Sequence, residues 1–101
     1  MRVRRTGKSY AHPLIILIAS PNKRPISRFG VSASKAVGGA VSRNRAKRRI
    51  RAAVQSCLSM IKSGWDILLI ARAPLVDADW PQITEAMKVL LQRAQLIDNE
   101  Q

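Results

Sequence analysis

The run Leu14-Ile15-Ile16-Leu17-Ile18-Ala19, closed by Pro13 on one side and Pro21 just beyond the other, constrains this chain more than any other stretch. Short, rich in β-branched residues and bounded by prolines, it fits a buried strand. It is the longest apolar run and falls far short of the roughly 20 residues a helix needs to cross a bilayer. It is also too short for the apolar part of a signal peptide. A chain of 101 residues has room for one core around such a strand, because two separate cores would each be too small to offset chain entropy. A single domain over residues 1–101 is expected.

The rest of the chain supplies partners for that strand. Residues 1–12 are basic and polar and read as an arm or a short edge strand, and 21–25, with two prolines, as a turn or loop. In the next segment Phe29, Val31 and Ala33 alternate with Arg28, Gly30, Ser32 and Ser34, as in a half-buried strand. A hairpin with the first strand is the natural expectation. After Gly38-Gly39, the residues Ala46, Ile50, Ala53, Val54, Cys57, Leu58 and Ile61 recur at three- and four-residue spacing, predicting an amphipathic helix that ends near Ser63-Gly64. Trp65 to Ala71 is a further apolar strand, closed by a turn around Pro74. Asp79 with Gln82 three residues on predicts a capping box, followed by a helix marked by Ile83, Met87, Leu90, Leu91 and Ala94. The order predicts an α+β fold, an α/β sandwich with a mixed sheet of about four strands and two helices packed on it. The passage from Arg28 to Ala71 is long enough for a parallel crossover.

Charge points to the partner. The chain carries 18 Lys and Arg against 6 Asp and Glu, a formal net charge of +12. Every acid lies after Trp65, whereas 15 of the 18 cations lie before it. A field of one sign over two thirds of a small protein favours a polyanion, nucleic acid first and an anionic membrane surface second. The single cysteine, Cys57, cannot form an internal disulfide, and no Cys/His cluster has metal-ligand spacing. A reducing compartment, the cytoplasm, follows.

The charge concentrates in Arg43-Asn44-Arg45-Ala46-Lys47-Arg48-Arg49-Ile50-Arg51, six cations in nine positions. At about 100° per residue, with Ile50 at the centre of the buried stripe, Arg45, Arg48, Arg49 and Arg51 point away from the core and Lys47 lies at the margin. Arg43 falls nearer the apolar side, at the helix start, where it can project past the core. Guanidinium forks meet phosphate oxygens in pairs and stay charged when partly desolvated. Asn44 adds neutral donors, and Gly38, Gly39 and the helix N-terminus add backbone N–H groups. The bland alternative is a merely solvated face. Against it, no acid stands at i±4 to neutralise the run.

Four blocks in order, Arg28-Phe29-Gly30-Val31-Ser32-Ala33-Ser34-Lys35, Val37-Gly38-Gly39-Ala40-Val41, Arg43 to Arg51, and Asp66-Ile67 with Ile70-Ala71-Arg72, resemble the signature of the bacterial ribonuclease P protein, a likeness running from about Gly7 to Leu96. The resemblance implies an accessory subunit. The partner ribonuclease P RNA would hold the magnesium ions and cleave the 5′ leader from precursor transfer RNA, with no cofactor or metal on the protein, no catalytic side chain and no obligate protein partner. It carries RNA contact onto Ser34, Lys35, Arg43, Asn44, Arg45, Lys47, Arg48, Arg49, Arg51 and Arg72, and implies a left-handed β-α-β crossover, against the usual rule. Two departures stand out. Family members begin with a further helix bearing aromatics that line a leader cleft, and this chain starts beyond it. The cleft-facing aromatic expected near Ile16 to Ile18 is missing, which leaves Tyr10 for the cleft. The paired lysines expected after Ser34 are Lys35-Ala36.

Other signals are weaker. Gly7-Lys8-Ser9 lacks the earlier glycine of a P-loop, since position 2 is Arg2. His12 has no identifiable catalytic partner and reads as a strand-edge residue. Cys57 falls on the apolar stripe, and Trp65 and Trp80 are expected to close the core. Tyr10 could stack a base or, preferably, cover the sheet edge. Asp77 and Asp79 could pair on a metal, but capping accounts for Asp79 better. The alternatives are a generic basic RNA-binding or ribosome-associated protein of similar fold, and a duplex-DNA binder, for which neither a helix-turn-helix nor a zipper is visible.

Overall fold

A computed structural model describes residues 7–98. Alternation along Ile15–Pro21 (β2) puts Ile15, Leu17 and Ala19 in the core and leaves Ile16 and Ile18 half-buried on the opposite face. Lys8–Ala11 (β1) pairs antiparallel with it, so this part of the basic N-terminal segment is an edge strand, and residues 1–6 of the expected arm lie outside the described residues. Arg28–Ala33 (β3) and Trp65–Ala71 (β4) complete a mixed sheet in the order β1-β2-β4-β3, with β4 antiparallel to β2 and parallel to β3.

The expected hairpin between β2 and β3 is therefore corrected: the two strands are antiparallel but β4 lies between them. Ile67, Leu69 and Ala71 of β4 are wholly buried, so the strand with the most to bury takes a central place. Stepping over one strand requires roughly 10 Å at ~4.8 Å per neighbour, which the six residues 22–27 span easily.

The β3–β4 crossover contains Ala40–Cys57 (α1), packed over β3 and β4, while Trp80–Arg93 (α2) packs by β1 and β2. Ala46, Ile50, Ala53 and Val54 of α1 and Ile83, Ala86, Met87, Leu90 and Leu91 of α2 join the strand residues in one hydrophobic cluster. Each large aliphatic side chain fully buried there contributes about 1.5–3 kcal/mol relative to exposure.

α1 ends earlier than its apolar spacing predicts. Ser56 Oγ donates to the Ala53 carbonyl at 2.7 Å and Cys57 Sγ donates to it at 3.4 Å. Such back-bonding competes with the helical ladder, and the chain passes through a 3-10 turn at Leu58–Met60 to an extended Ile61. At the other end Gly38, at φ 132°, turns the chain from a 3-10 turn at Lys35–Val37 into α1. The turn around Pro74 is a 3-10 segment, Ala73–Asp77. α2 opens with the expected reciprocal box: Asp79 Oδ1 accepts from Gln82 N–H, and Gln82 Oε1 accepts from Asp79 N–H, both at 2.9 Å. Trp65 packs against the core as expected, but Trp80 is 44% exposed and does not.

Candidate nucleic-acid interface

The exposed side of α1 is held by what lies beneath it. Ala46, Ile50 and Ala53, at 2%, 0% and 1% exposure, fix the helix rotation, and that rotation turns Asn44, Arg45, Arg48 and Arg51 to solvent with Lys47 half-buried between them. Val41, Asn44, Lys47, Arg48 and Arg51 line one shallow groove of about 530 Å³. Val41, 83% exposed, adds an apolar contact that charge counting overlooked. The ion pairs among the described residues are Arg28–Asp66 and Lys62–Asp98, and neither touches α1. Its cations therefore project an uncompensated field.

Two predicted contacts differ from expectation. Arg49 does not point freely away from the core: its Nη2 donates to the Ala78 carbonyl at 2.8 Å and its Nη1 lies 3.5 Å from the Leu75 carbonyl. The turn before α2 reaches round to this flank of α1, and no helical projection includes it. Arg43, at the helix start, is half-buried; its Nη2 donates to the Ala33 carbonyl at 3.3 Å and its Nε is buried without a protein partner. Both arginines join α1 to neighbouring segments, so the freely offered set is Asn44, Arg45, Arg48 and Arg51 with Lys47 at its margin.

Ser34, Lys35 and Arg72 come together because β3 and β4 run parallel and finish in register at Ala33 and Ala71. Ser34 N–H donates to the Ala71 carbonyl at 3.1 Å. Lys35 is exposed on the turn that follows, and Arg72 Nη1 donates to the His12 carbonyl at 3.2 Å. This end of the sheet adjoins the start of α1 through Gly38 and Gly39.

Tyr10 sits elsewhere. Opposite Leu17 in the β1–β2 register, it lies on the helix-covered face and packs against the core, as the preferred expectation of a covering role at the sheet edge has it. His12 Nδ1 accepts from Leu14 N–H at 3.0 Å, a strand-end role. Burial pushes the half-buried Cys57 thiol up from its ordinary value. Asp79 is occupied by its cap, and no group of three His, Cys, Asp or Glu residues among those described is placed to hold a metal ion.

A small α+β sandwich that displays an arginine-rich helix face, with no ion pair to it among the described residues, has the features of a basic polyanion-binding protein. Comparison with known proteins narrows this. A family model described as Ribonuclease P matches residues 1–95. The ribonuclease P protein component of Roseiflexus castenholzii is 44% identical over 97 residues, covering 95% of this chain and 80% of the relative. That of Clostridium perfringens is 39% identical over 105 residues, covering 97% and 84%. The solved RNase P protein of Staphylococcus aureus superposes with a TM-score of 0.84 at 34% identity, over 96% of this chain and 89% of that one. That of Thermotoga maritima gives 0.82 at 27% identity, with coverage of 96% and 89%. The chain belongs to the ribonuclease P protein family.

Proposed function

We infer that the chain is the RNA-binding protein subunit of ribonuclease P, assisting a catalytic RNA in removing the 5′ leader from precursor transfer RNA. The observation that carries this reading at residue level is the solvent face of α1, on which Asn44, Arg45, Arg48 and Arg51 stand clear of any acid. Arg45 to Arg51 spans about 9 Å along the helix axis, a length of contact suited to a few successive phosphates. Planar guanidinium groups there bind phosphate oxygens bidentately, and Val41 offers an apolar surface in the same groove. Ser34, Lys35 and Arg72 extend RNA contact to the end of the sheet. Arg43 and Arg49 act chiefly by holding α1 in place.

The protein's share of the reaction is to bind and orient RNA. The magnesium ions of the chemical step are assigned to the RNA subunit. The cytoplasm is the proposed compartment, since its reducing conditions suit the single free thiol; no helix of the described residues is long and apolar enough to cross a membrane.

The test is reconstitution with a bacterial ribonuclease P RNA at a magnesium concentration too low for the RNA alone. Addition of this protein should restore leader removal from precursor transfer RNA. RNA binding without restored cleavage would favour a generic basic RNA-binding protein of the same fold.

A further inference from the structure

The loop that carries β2 over to β3 is built more tightly than a connection requires. Asn22 Nδ2 donates to Asp66 Oδ1 at 3.0 Å and to the Ile26 carbonyl at 3.2 Å, while its Oδ1 accepts from Arg24 N–H at 2.8 Å. Asn22 N–H donates to the Gly64 carbonyl at 2.9 Å, Ser27 Oγ donates to the Lys62 carbonyl at 2.7 Å, and Trp65 N–H donates back to Ser27 Oγ at 3.1 Å. Two loops distant in sequence, 22–27 and 62–64, thus form one rigid tip.

That tip presents cations. Lys23 and Arg24 are exposed and have no ion pair among the described residues. Lys62 faces only Asp98, at 3.8 Å, whose side chain is 95% exposed. Lys23 also holds φ at 57°, in the left-handed region, which glycine adopts without steric cost and a lysine does not. The hydrogen bonds of Asn22 to Arg24 N–H and to the Gly64 carbonyl hold this turn, so Lys23 is presented to solvent with a charge that no acid among the described residues pairs.

We propose that this tip is a second phosphate-binding surface, gripping a backbone segment of the partner RNA beyond the one held by α1. The proposal rests on the reading of the chain as an RNA-binding subunit. β3 starts beside the tip and ends beside Lys35, so about 20 Å of strand separates the tip from the Ser34–Arg72 end. α1 runs from that end back toward Lys62. An RNA followed along α1 past Arg51 therefore arrives at the tip, which selects the partner RNA over precursor transfer RNA as the occupant.

The experiment measures the salt dependence of binding by the full chain to a bacterial ribonuclease P RNA and, separately, to precursor transfer RNA. Lys23→Gln, Arg24→Gln and Lys62→Gln combined should flatten the slope of log K against log salt for the partner RNA by roughly 0.7 to 0.9 per phosphate contact removed, with an unchanged thermal midpoint. Lys23→Gly should raise the midpoint by relieving the strained backbone, yet flatten the same slope. A triple variant with the wild-type slope for the partner RNA overturns the proposal, and a change confined to precursor transfer RNA also overturns it. Arg48→Gln is the control. If Arg48→Gln flattens the slope and the triple variant does not, only the tip assignment fails; if neither does, the reading of α1 fails with it.

Discussion

Asp66 is the one buried acid among the described residues, and its surroundings fix its charge. Arg28 donates to it through Nε at 2.8 Å and Nη2 at 2.7 Å, and Asn22 adds a third donor. The Arg28 hydrogen bonds, followed by that of Asn22, hold its carboxyl down at about 2 from an ordinary value of 3.8. Because the folded-state value is depressed, this stabilisation is complete above the ordinary carboxylate range and is lost as pH falls through about 2. The urea midpoint of the protein should therefore fall between pH 5 and pH 2, and Asp66→Asn should lower the midpoint at neutral pH and flatten that acid limb. A contrast on α1 separates structure from binding. Arg49→Gln should cost about 1.5–3 kcal/mol of stability, the range for hydrogen bonds to a charged group, whereas Arg48→Gln should leave the unfolding midpoint unchanged and weaken RNA binding. Chemical denaturation and a binding isotherm on both variants check this. The free arginines were legible in the sequence because position relative to Ile50 decides their exposure. Arg49 was not, because its acceptors, the carbonyls of Leu75 and Ala78, lie 26 and 29 residues away.

At the scale of the elements, features decided by a local interaction are legible in the sequence. The capping box of α2 joins residues three apart, and both of its hydrogen bonds form as expected. Asp79→Ala should cost about 1 kcal/mol, measurable as a lower midpoint with loss of helical signal confined to the first turn of α2. The strand Trp65–Ala71 also has the predicted limits, set by Gly64 before it and the charged Arg72 after it. Strand adjacency was the point of failure. Alternation in Phe29, Val31 and Ala33 shows which face of β3 is covered, but not which strand lies beside it. An antiparallel β2 and β3 have the same pattern whether they touch or enclose β4. The helix ends before its expected place for a related reason: apolar spacing continues through Leu58 and Ile61, while the Ser56 and Cys57 side chains turn back on the Ala53 carbonyl. Ile50, with 0% exposure at the contact of α1 with the sheet, should be the most sensitive site on this helix. Ile50→Ala is expected to cost about 2–5 kcal/mol, seen as a reduced urea midpoint together with lost RNA affinity, since the arginine face depends on that seat.

For the whole molecule, a formal charge of +12 makes self-repulsion a standing cost that a bound polyanion relieves. Thermal stability should rise with added salt and rise further with stoichiometric partner RNA. Purified protein alone should leave precursor transfer RNA intact; cleavage by protein freed of RNA would sink the subunit reading. The strand order has a further consequence, for synthesis. In β1-β2-β4-β3, the last strand made, β4, holds the other three together. A ribosome adds about 5–20 residues per second, so for several seconds the emerging chain consists of two unjoined pieces, a β1–β2 ribbon and a β3 strand followed by a helix with no sheet beneath it. Until Ala71 clears the exit tunnel, the arginine-rich segment is fully made but has no sheet to fix its rotation. The nascent chain at that stage can attract any RNA nearby by charge alone, and the insertion of β4 is the step that turns this attraction into a shaped surface.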